Sequence, residues 1–226
     1  TTEAGPGSFT DRGDARLSAA FVIDGHAPTA VHQYADRDGA LVAAVARYEP
    51  GTLDATKKTF RQYRRDGDRW LPGLKGRELP LYNLSRVVKA VAAGEPVYIV
   101  EGERCADLLT RFGVCATTNS GGAGQWRKHH SAELAGAHVV LLEDDDEPGR
   151  GHMDKVEAAM AGVAASVRRV PPPGVESAPR GQGYDVGNWI EAGGQLADLL
   201  TEVSGAEPRA AASEPWPDPI GFSCSD

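Results

Sequence analysis

Five consecutive carboxylates follow one apolar segment of the chain. Residues 143–147 read EDDDE and come directly after AHVVLL, which has the composition of a buried strand. Like charges at contact distance repel one another, and burying them is costly unless a positive group lies beside them. Asp144 and Asp146 stand two residues apart, so in an extended segment their side chains point to the same side. This pattern predicts a cation at the end of the strand.

Two further carboxylates are expected at the same place. Glu101 directly follows the apolar segment PVYIV, and Asp185 lies in GYDVGNW, after a Pro- and Gly-rich stretch. Clustered carboxylate oxygens are what hard cations such as Mg²⁺ require, and a pair of such ions can assist phosphoryl transfer. The alternative for EDDDE is a solvated helix start, because acidic residues are favoured in the first turn of a helix.

Alternating strand and helix signals after about residue 85 indicate how these carboxylates are positioned. The apolar segments that predict strands are 96–100, 114–118, 137–142 and 165–170. The segments that predict helices are 103–113, 125–136, 151–164, 186–194 and 195–203. Such alternation is typical of an α/β parallel sheet covered by helices, which binds ligands beyond the carboxyl ends of its strands.

A different pattern precedes this region. Two strand-like stretches turn around residues 36–39 and 66–67, where Asp-Gly pairs favour hairpins, so a small antiparallel sheet is expected. The predicted organisation is a flexible arm, a basic subdomain with β-hairpins, an α/β catalytic domain and a linker, at residues 1–25, 26–90, 91–203 and 204–226.

Composition limits the classes of function. The net charge of −8 shows that the chain as a whole is no basic nucleic-acid binder, although a local basic patch is compatible with it. No apolar stretch is long enough to span a membrane, and the first residues do not form a signal peptide. Three cysteines without metal-binding spacing indicate reduced thiols in a cytoplasmic protein.

One short segment concentrates cations and aromatic rings. The sequence KKTFRQYRR interleaves Phe60 and Tyr63 with basic residues, and GLKGRELP continues the positive charge. The basic residues of these two segments are Lys57, Lys58, Arg61, Arg64, Arg65, Lys75 and Arg77. Cations that follow phosphates and rings that stack on bases suit single-stranded nucleic acid. The alternative is a solvated hairpin with its aromatic side chains in the core.

The loop NSGGAG offers a second place for a phosphate. Gly121 and Gly122 have no side chains, so an anion can come close to their backbone N–H groups. Most Gly-rich turns are only turns, and this one is neither a Walker loop nor a dinucleotide fingerprint.

Taken in order, VYIVEGER, TTNSGGAG, VVLLEDDDEPGR and GYDVGNWIEAGG resemble the toprim domain of primases, most closely those of phage and plasmid primase-helicases. The resemblance covers about residues 30–200. It implies a toprim fold of about four parallel strands, preceded by a largely antiparallel subdomain. It also implies that Glu101, Asp144 and Asp146 are catalytic and bind Mg²⁺ (or Mn²⁺), helped by Asp185. Gln125 stands where the family's glycine loop often continues into a lysine.

The function implied by this resemblance is that of a DNA primase core. Such an enzyme joins ribonucleoside triphosphates on a single-stranded DNA template and works with a replicative helicase, in the same chain or in a separate one. The basic residues and Gly121 and Gly122 would contact nucleic acid or nucleotide. Two alternatives remain open, namely a toprim-type metal-dependent nuclease and a non-catalytic nucleic-acid-binding module.

Overall fold

The computed structural model describes residues 19–53, 55–178 and 181–207. It divides the chain into two compact units, one that ends at Ser85 and one that begins at Arg86. Most of the predicted arm and most of the predicted linker lie outside the described residues. None of the helices in the described ranges has the length and apolar character needed to cross a membrane.

The first unit is built on a four-stranded antiparallel sheet. In spatial order its strands are β1 (Ala30–Ala35), β2 (Leu41–Tyr48), β3 (Thr59–Asp66) and β4 (Arg69–Pro72). This order confirms the antiparallel subdomain expected from the two hairpin signals. The turns contain Gly39 and Gly67, whose φ values of 88° and 54° suit glycine because it has no Cβ.

One face of this sheet carries an aromatic core. The buried residues that pack there are Phe21, Val31, Ala44, Ala46, Tyr48 and Tyr63. Phe21 belongs to the segment predicted as a flexible arm, yet its ring is 1% exposed and stacks edge-on against Tyr63. The Tyr48 hydroxyl donates a hydrogen bond of 2.5 Å to the Phe21 carbonyl. Phe21 is therefore part of the packed core of the first unit, although it precedes residue 26.

Arg64 on β3 stabilises the second hairpin by hydrogen bonds. Its side chain is buried, and Nη1 donates to the carbonyl oxygens of Pro72 at 2.6 Å and Gly73 at 2.9 Å. Burying a guanidinium is tolerable only when its donors are satisfied. Here Arg64 satisfies two carbonyl groups at the end of β4.

The second unit contains a four-stranded parallel sheet. Its strands are β5 (Val97–Ile99), β6 (Cys115–Thr117), β7 (His138–Leu142) and β8 (Ser166–Val170). They lie in the order β6-β5-β7-β8, and every pairing is parallel, which confirms the predicted α/β fold class. The side chains of β5 and β7 are buried throughout, as expected for central strands covered on both faces.

Helices connect these strands. The helices of the described residues are α1 (Leu84–Ala93), α2 (Glu103–Arg111), α3 (Lys128–Ala132), α4 (Glu147–Met160), α5 (Val186–Glu191) and α6 (Leu196–Gly205). The sequence patterns did not predict α1, and α3 is shorter than expected. Helix α4 begins at Glu147 rather than at residue 151, because Pro148 is well suited to a first turn, where its missing N–H has no intrahelical partner.

We expect Arg64→Ala to lower the free energy of unfolding by about 1–3 kcal/mol, since it leaves two carbonyl groups without their donor. Arg61→Ala, on the same strand but at an exposed position, should change it by less than about 0.5 kcal/mol. Urea denaturation followed by circular dichroism measures both values. Equal effects of the two substitutions would contradict the assignment of Arg64 to the hairpin.

Candidate active site

The register between β5 and β7 places two chain segments at one edge of the sheet. Ile99 pairs with Leu141, so the chain leaves both strands at the same level. Strands β5 and β7 are therefore neighbours, as a common site for the carboxylates that follow them requires. Beyond the strand ends, the side chains of Glu101 and Asp144 share a hydrogen bond. Two carboxyl groups can share a hydrogen bond only when one of them carries the proton.

The electrostatics of this pair disfavour two negative charges. Burial, the largest cause, acts together with the charges of Glu101, Asp185 and Asp146 and the hydrogen bond to Glu101 to raise the pKa of Asp144 to about 8. Each of these effects penalises the ionised carboxylate. A cation at this edge would reverse the balance, because it would favour the ionised form of every group involved.

Asp185 reaches the site from the start of α5. Its Oδ1 accepts a hydrogen bond of 2.7 Å from the backbone N–H of Asn188, and the Asn188 side chain accepts one of 2.9 Å from the Asp185 N–H. This reciprocal capping fixes the carboxylate at the helix N-terminus. Arg104 of α2 lies on its other side, with Nη1 3.8 Å from Oδ2.

The backbone of Asp145 connects the two acidic segments. Its N–H donates to the carbonyl of Tyr184 at 2.8 Å, and its carbonyl accepts from the N–H of Gly183 at 3.3 Å. This short ladder is the reason that Asp185 lies beside Asp144, although 40 positions separate them in the sequence. No sequence pattern predicts such an interaction, because it involves only backbone atoms.

Asp146 has a structural role as well as a charge. It is the N-cap of α4, and its Oδ1 accepts a hydrogen bond of 2.7 Å from the Gly149 N–H. A Cβ placed on Gly183 would approach Oδ2 of Asp146 to 3.0 Å. The predicted metal ligand is therefore in contact with the same loop as Asp145, with one oxygen engaged in capping.

The other acidic residues of EDDDE have different tasks. Glu143 accepts a 2.7 Å hydrogen bond from Nε of Arg169, and Asp145 pairs with Arg150 at 3.0 Å. Glu147 is exposed in the first turn of α4. The helix-start interpretation therefore describes part of the run, whereas Asp144 interacts with Glu101.

Arg104 and Gly187 were missed by the sequence patterns. A Cβ on Gly187 would lie 2.7 Å from Nη1 of Arg104 and 3.1 Å from Sγ of Cys105. Helices α2 and α5 approach closely at this glycine, which lets Arg104 reach Asp185. Burial raises the pKa of the Cys105 thiol, and the nearby charge of Asp185 raises it further. Cys105 is therefore a buried, protonated neighbour of the site.

The donor groups fit a magnesium ion that keeps most of its waters. Among the residues described, no three or more His, Cys, Asp and Glu side chains are grouped as a ready-made ligand set. Magnesium is usually bound by one or two carboxylates together with waters and substrate phosphates. Glu101 and Asp144 supply two carboxyl groups at one place, which is the number that such a site requires.

Gly121 and Gly122 lie in the loop that follows β6. Both have left-handed backbone, with φ values of 87° and 68°. The loop begins at the acidic edge of the sheet, because the Thr118 hydroxyl donates a 2.9 Å hydrogen bond to the Glu101 carbonyl. The glycine loop and the carboxylates therefore belong to one region of the second unit.

The seven predicted basic residues lie in the first unit and fall into two groups. The first group consists of four exposed cations, Lys57, Lys58, Arg61 and Lys75. Arg65 instead stacks on Trp70 at 4.9 Å, and Arg77 donates to the Arg65 carbonyl at 3.1 Å. Of the two interleaved rings, Tyr63 is buried in the core, whereas Phe60 is 43% exposed.

Comparison with known proteins gives matches among solved structures. Neither a protein-family model nor a curated protein matches the sequence. The zinc-binding and RNA polymerase domains of the Aquifex aeolicus primase match with a TM-score of 0.57 and 20% identity, over 79% of this chain and 40% of that one. A DnaG primase catalytic domain bound to single-stranded DNA gives 0.54 and 20%, over 79% and 52%.

A phage structure also matches. The primase domains in a bacteriophage T7 assembly with the lagging-strand DNA polymerase and an RNA/DNA hybrid give a TM-score of 0.50 and 19% identity, over 82% of this chain and 81% of that one. The chain thus spans 40% of the Aquifex aeolicus structure and 52% of the DnaG domain. At these identities the likeness shows the fold, which is that of primase catalytic cores.

Asp144→Asn should stabilise the protein at pH 8 in the presence of a chelator, by about 1–3 kcal/mol in the free energy of unfolding. The folded-state pKa of Asp144 lies above its ordinary value, so the wild type loses stability as pH rises from about 4 to about 8. The amide carries no charge and removes this loss. Thermal denaturation between pH 5 and pH 9 measures the difference.

Asp145→Asn is the matched control for this prediction. Asp145 has a cationic partner, Arg150, and accepts a 3.0 Å hydrogen bond from the Gly181 N–H, so its replacement should destabilise the protein. Added Mg²⁺ should raise the melting temperature of the wild type and leave that of Asp144→Asn unchanged. Destabilisation by Asp144→Asn in chelator would refute the charge-repulsion argument.

Proposed function

We propose that this chain is the catalytic core of a DNA primase, which joins ribonucleotides on a single-stranded DNA template. The observation that carries the proposal is the hydrogen-bonded pair of Glu101 and Asp144, with Asp185 beside it, at the carboxyl edge of a sheet. That edge is where open α/β sheets bind their ligands. The fold around it is the fold of primase catalytic cores.

In this proposal the acidic residues hold Mg²⁺ (or Mn²⁺). Bound there, the cation would neutralise charge on the transferred phosphate and on the pyrophosphate that leaves. Glu101 and Asp144 would hold it, and Asp146 and Asp185 would add negative charge nearby. In the ionised form that the cation would favour, Glu101 would also be suited to accept the proton of the attacking 3′-hydroxyl.

Template binding is assigned to the first unit. Its exposed cations, Lys57, Lys58, Arg61 and Lys75, suit the phosphates of DNA, and Phe60 offers an exposed ring on which a base can stack. Arg64, Arg65 and Arg77 would act indirectly, since their side chains contact the unit itself. One matching primase domain is a complex with single-stranded DNA, which supports single-stranded DNA as the ligand.

The wider setting of the proposal follows from the same resemblance. The chain would act in the cytoplasm with a replicative helicase, as the primase part of a phage or plasmid primase-helicase. The matching primase domains of phage T7, which lie in an assembly with a polymerase, support a role at a replication fork. Residues 91–203 would be the catalytic domain and residues 26–90 the template-binding subdomain.

Primer synthesis is the direct test of the proposal. The wild type, incubated with single-stranded DNA, labelled ribonucleotides and Mg²⁺ or Mn²⁺, should produce short RNA. Asp144→Ala and Glu101→Gln should each reduce the rate at least about 100-fold, a loss typical of removing a group that stabilises transition-state charge. Glu147→Gln, an exposed carboxylate at the start of α4, is the matched control and should retain the wild-type rate.

Other products would contradict the proposal in different ways. Shortening of the DNA without RNA synthesis would identify a nuclease. Binding of DNA with neither product would identify a non-catalytic module. Full activity of Asp144→Ala would remove the carboxylate pair from the mechanism.

A triple substitution tests template binding separately from catalysis. Replacing Lys57, Lys58 and Arg61 by alanine should weaken single-stranded DNA binding and reduce the slope of log K against log salt by about 2, at about 0.7 per contact. Fluorescence anisotropy at several salt concentrations measures both quantities. Glu49→Gln, a nearby surface substitution that removes no positive charge, should leave the slope unchanged. An unaltered slope in the triple variant would exclude this surface as the template site.

A further inference from the structure

The loop after β6 has a backbone suited to anions. Within NSGGAG, Gly121, Gly122 and Gly124 all have left-handed backbone, with φ values of 87°, 68° and 82°. Turns that contain left-handed residues can direct successive N–H groups into one concavity, and such concavities bind phosphates and other anions. The Asn119 side chain closes the loop by donating a 3.0 Å hydrogen bond to the Gly122 carbonyl.

His152 of α4 supports this loop from below the surface. The side chain is 1% exposed, and its Nδ1 accepts a 3.2 Å hydrogen bond from the Gly124 N–H. In the neutral ring the proton is then on Nε2. Nε2 is buried and has no hydrogen-bond partner among the described residues. A buried donor without an acceptor costs free energy, so an apolar side chain would stabilise the protein better here.

Lys155 brings a positive charge to the same loop. It lies one turn beyond His152 on α4, and its Nζ is 3.9 Å from the position that a Cβ on Gly124 would occupy. Burial lowers the pKa of His152, and the charge of Lys155 lowers it further, which shows that the two side chains are close. Lys155 is exposed, and Gln125 beside the loop is neutral and accepts a hydrogen bond of 2.5 Å from Arg127.

We propose that the glycine loop and Lys155 form a phosphate subsite for the polyphosphate of the incoming nucleotide, with His152 as the positioning residue of the loop. Lys155 supplies the charge, and His152 fixes the Gly124 amide. The nucleotide as ligand rests on the proposed function. A polyphosphate is favoured over a DNA phosphate because Thr118, where the loop begins, is bonded to the Glu101 carbonyl. A polyphosphate can extend from the carboxylate edge to the loop.

Binding of inorganic pyrophosphate to the full chain tests the subsite without any need for catalysis. By titration calorimetry in Mg²⁺, Lys155→Ala should weaken the affinity about tenfold, and Lys155→Arg should stay within about threefold of the wild type. Lys89→Ala is the matched control, an exposed lysine on α1, and should not change the affinity. Helix α1 lies near the opposite end of β6, since the charge of Arg86 acts on Cys115.

Two substitutions of His152 distinguish positioning from packing. His152→Asn places an amide oxygen near the position of Nδ1 and should keep the affinity for pyrophosphate within about threefold. His152→Leu fills the volume but removes the acceptor, and should weaken pyrophosphate binding about fivefold to tenfold and raise KM for the nucleotide more than it lowers kcat. Equal binding by the two variants would overturn the positioning role.

The outcomes separate this subsite from the proposed function. Pyrophosphate binding that is absent in the wild type, or unchanged in Lys155→Ala, would overturn the subsite even if the wild type makes primers. Loss of single-stranded DNA affinity in Lys155→Ala, with pyrophosphate affinity retained, would overturn the assignment to the nucleotide. Lys155-dependent pyrophosphate binding in a chain that makes no primer would support the subsite and refute the primase proposal.

Discussion

The hydrogen bond between the carboxyl groups of Glu101 and Asp144 is the constraint on which the candidate site depends. It brings two acids from neighbouring strands close enough to exclude a second negative charge, and burial strengthens that exclusion. Folding therefore maintains a local arrangement that is unfavourable at neutral pH. Such stored repulsion is usual where a protein binds a cation, and the stability lost without the ion is regained when the ion binds.

Ion pairs and backbone hydrogen bonds hold the segments around this pair in place. Arg169 pairs with Glu143, and the backbone of Asp145 carries the late loop to the strand end. Arg104 approaches Asp185 only because Gly187 lacks a side chain. Within residues 143–147, Glu143, Asp145 and Asp146 thus have partners in the fold, Glu147 is exposed, and the fold penalises the charge of Asp144.

Sequence patterns predicted the parallel sheet, both hairpins and the edge at which the acids meet, because strand periodicity and Asp-Gly turns are local signals. They did not predict which of the acids have partners in the fold and which one interacts with Glu101. Arg64 looked like a surface cation, and its burial depends on two carbonyl groups that only the folded hairpin presents. The contribution of Arg104 to the site likewise depends on helix packing. Phe21 was assigned to an arm, because a single aromatic residue carries no periodicity.

Helix α4 connects the acidic edge of the sheet with the glycine loop. Asp146 caps its first turn beside the acids, and His152 meets the glycine loop six positions later, about 9 Å along the axis at the usual rise per residue. One residue inserted between them would rotate the far end by about 100° and turn the imidazole away from Gly124. Substitutions on the outer face of this helix are therefore tolerable. An insertion or deletion between Asp146 and His152 would instead prevent the first from capping the helix beside the acids while the second contacts the glycine loop.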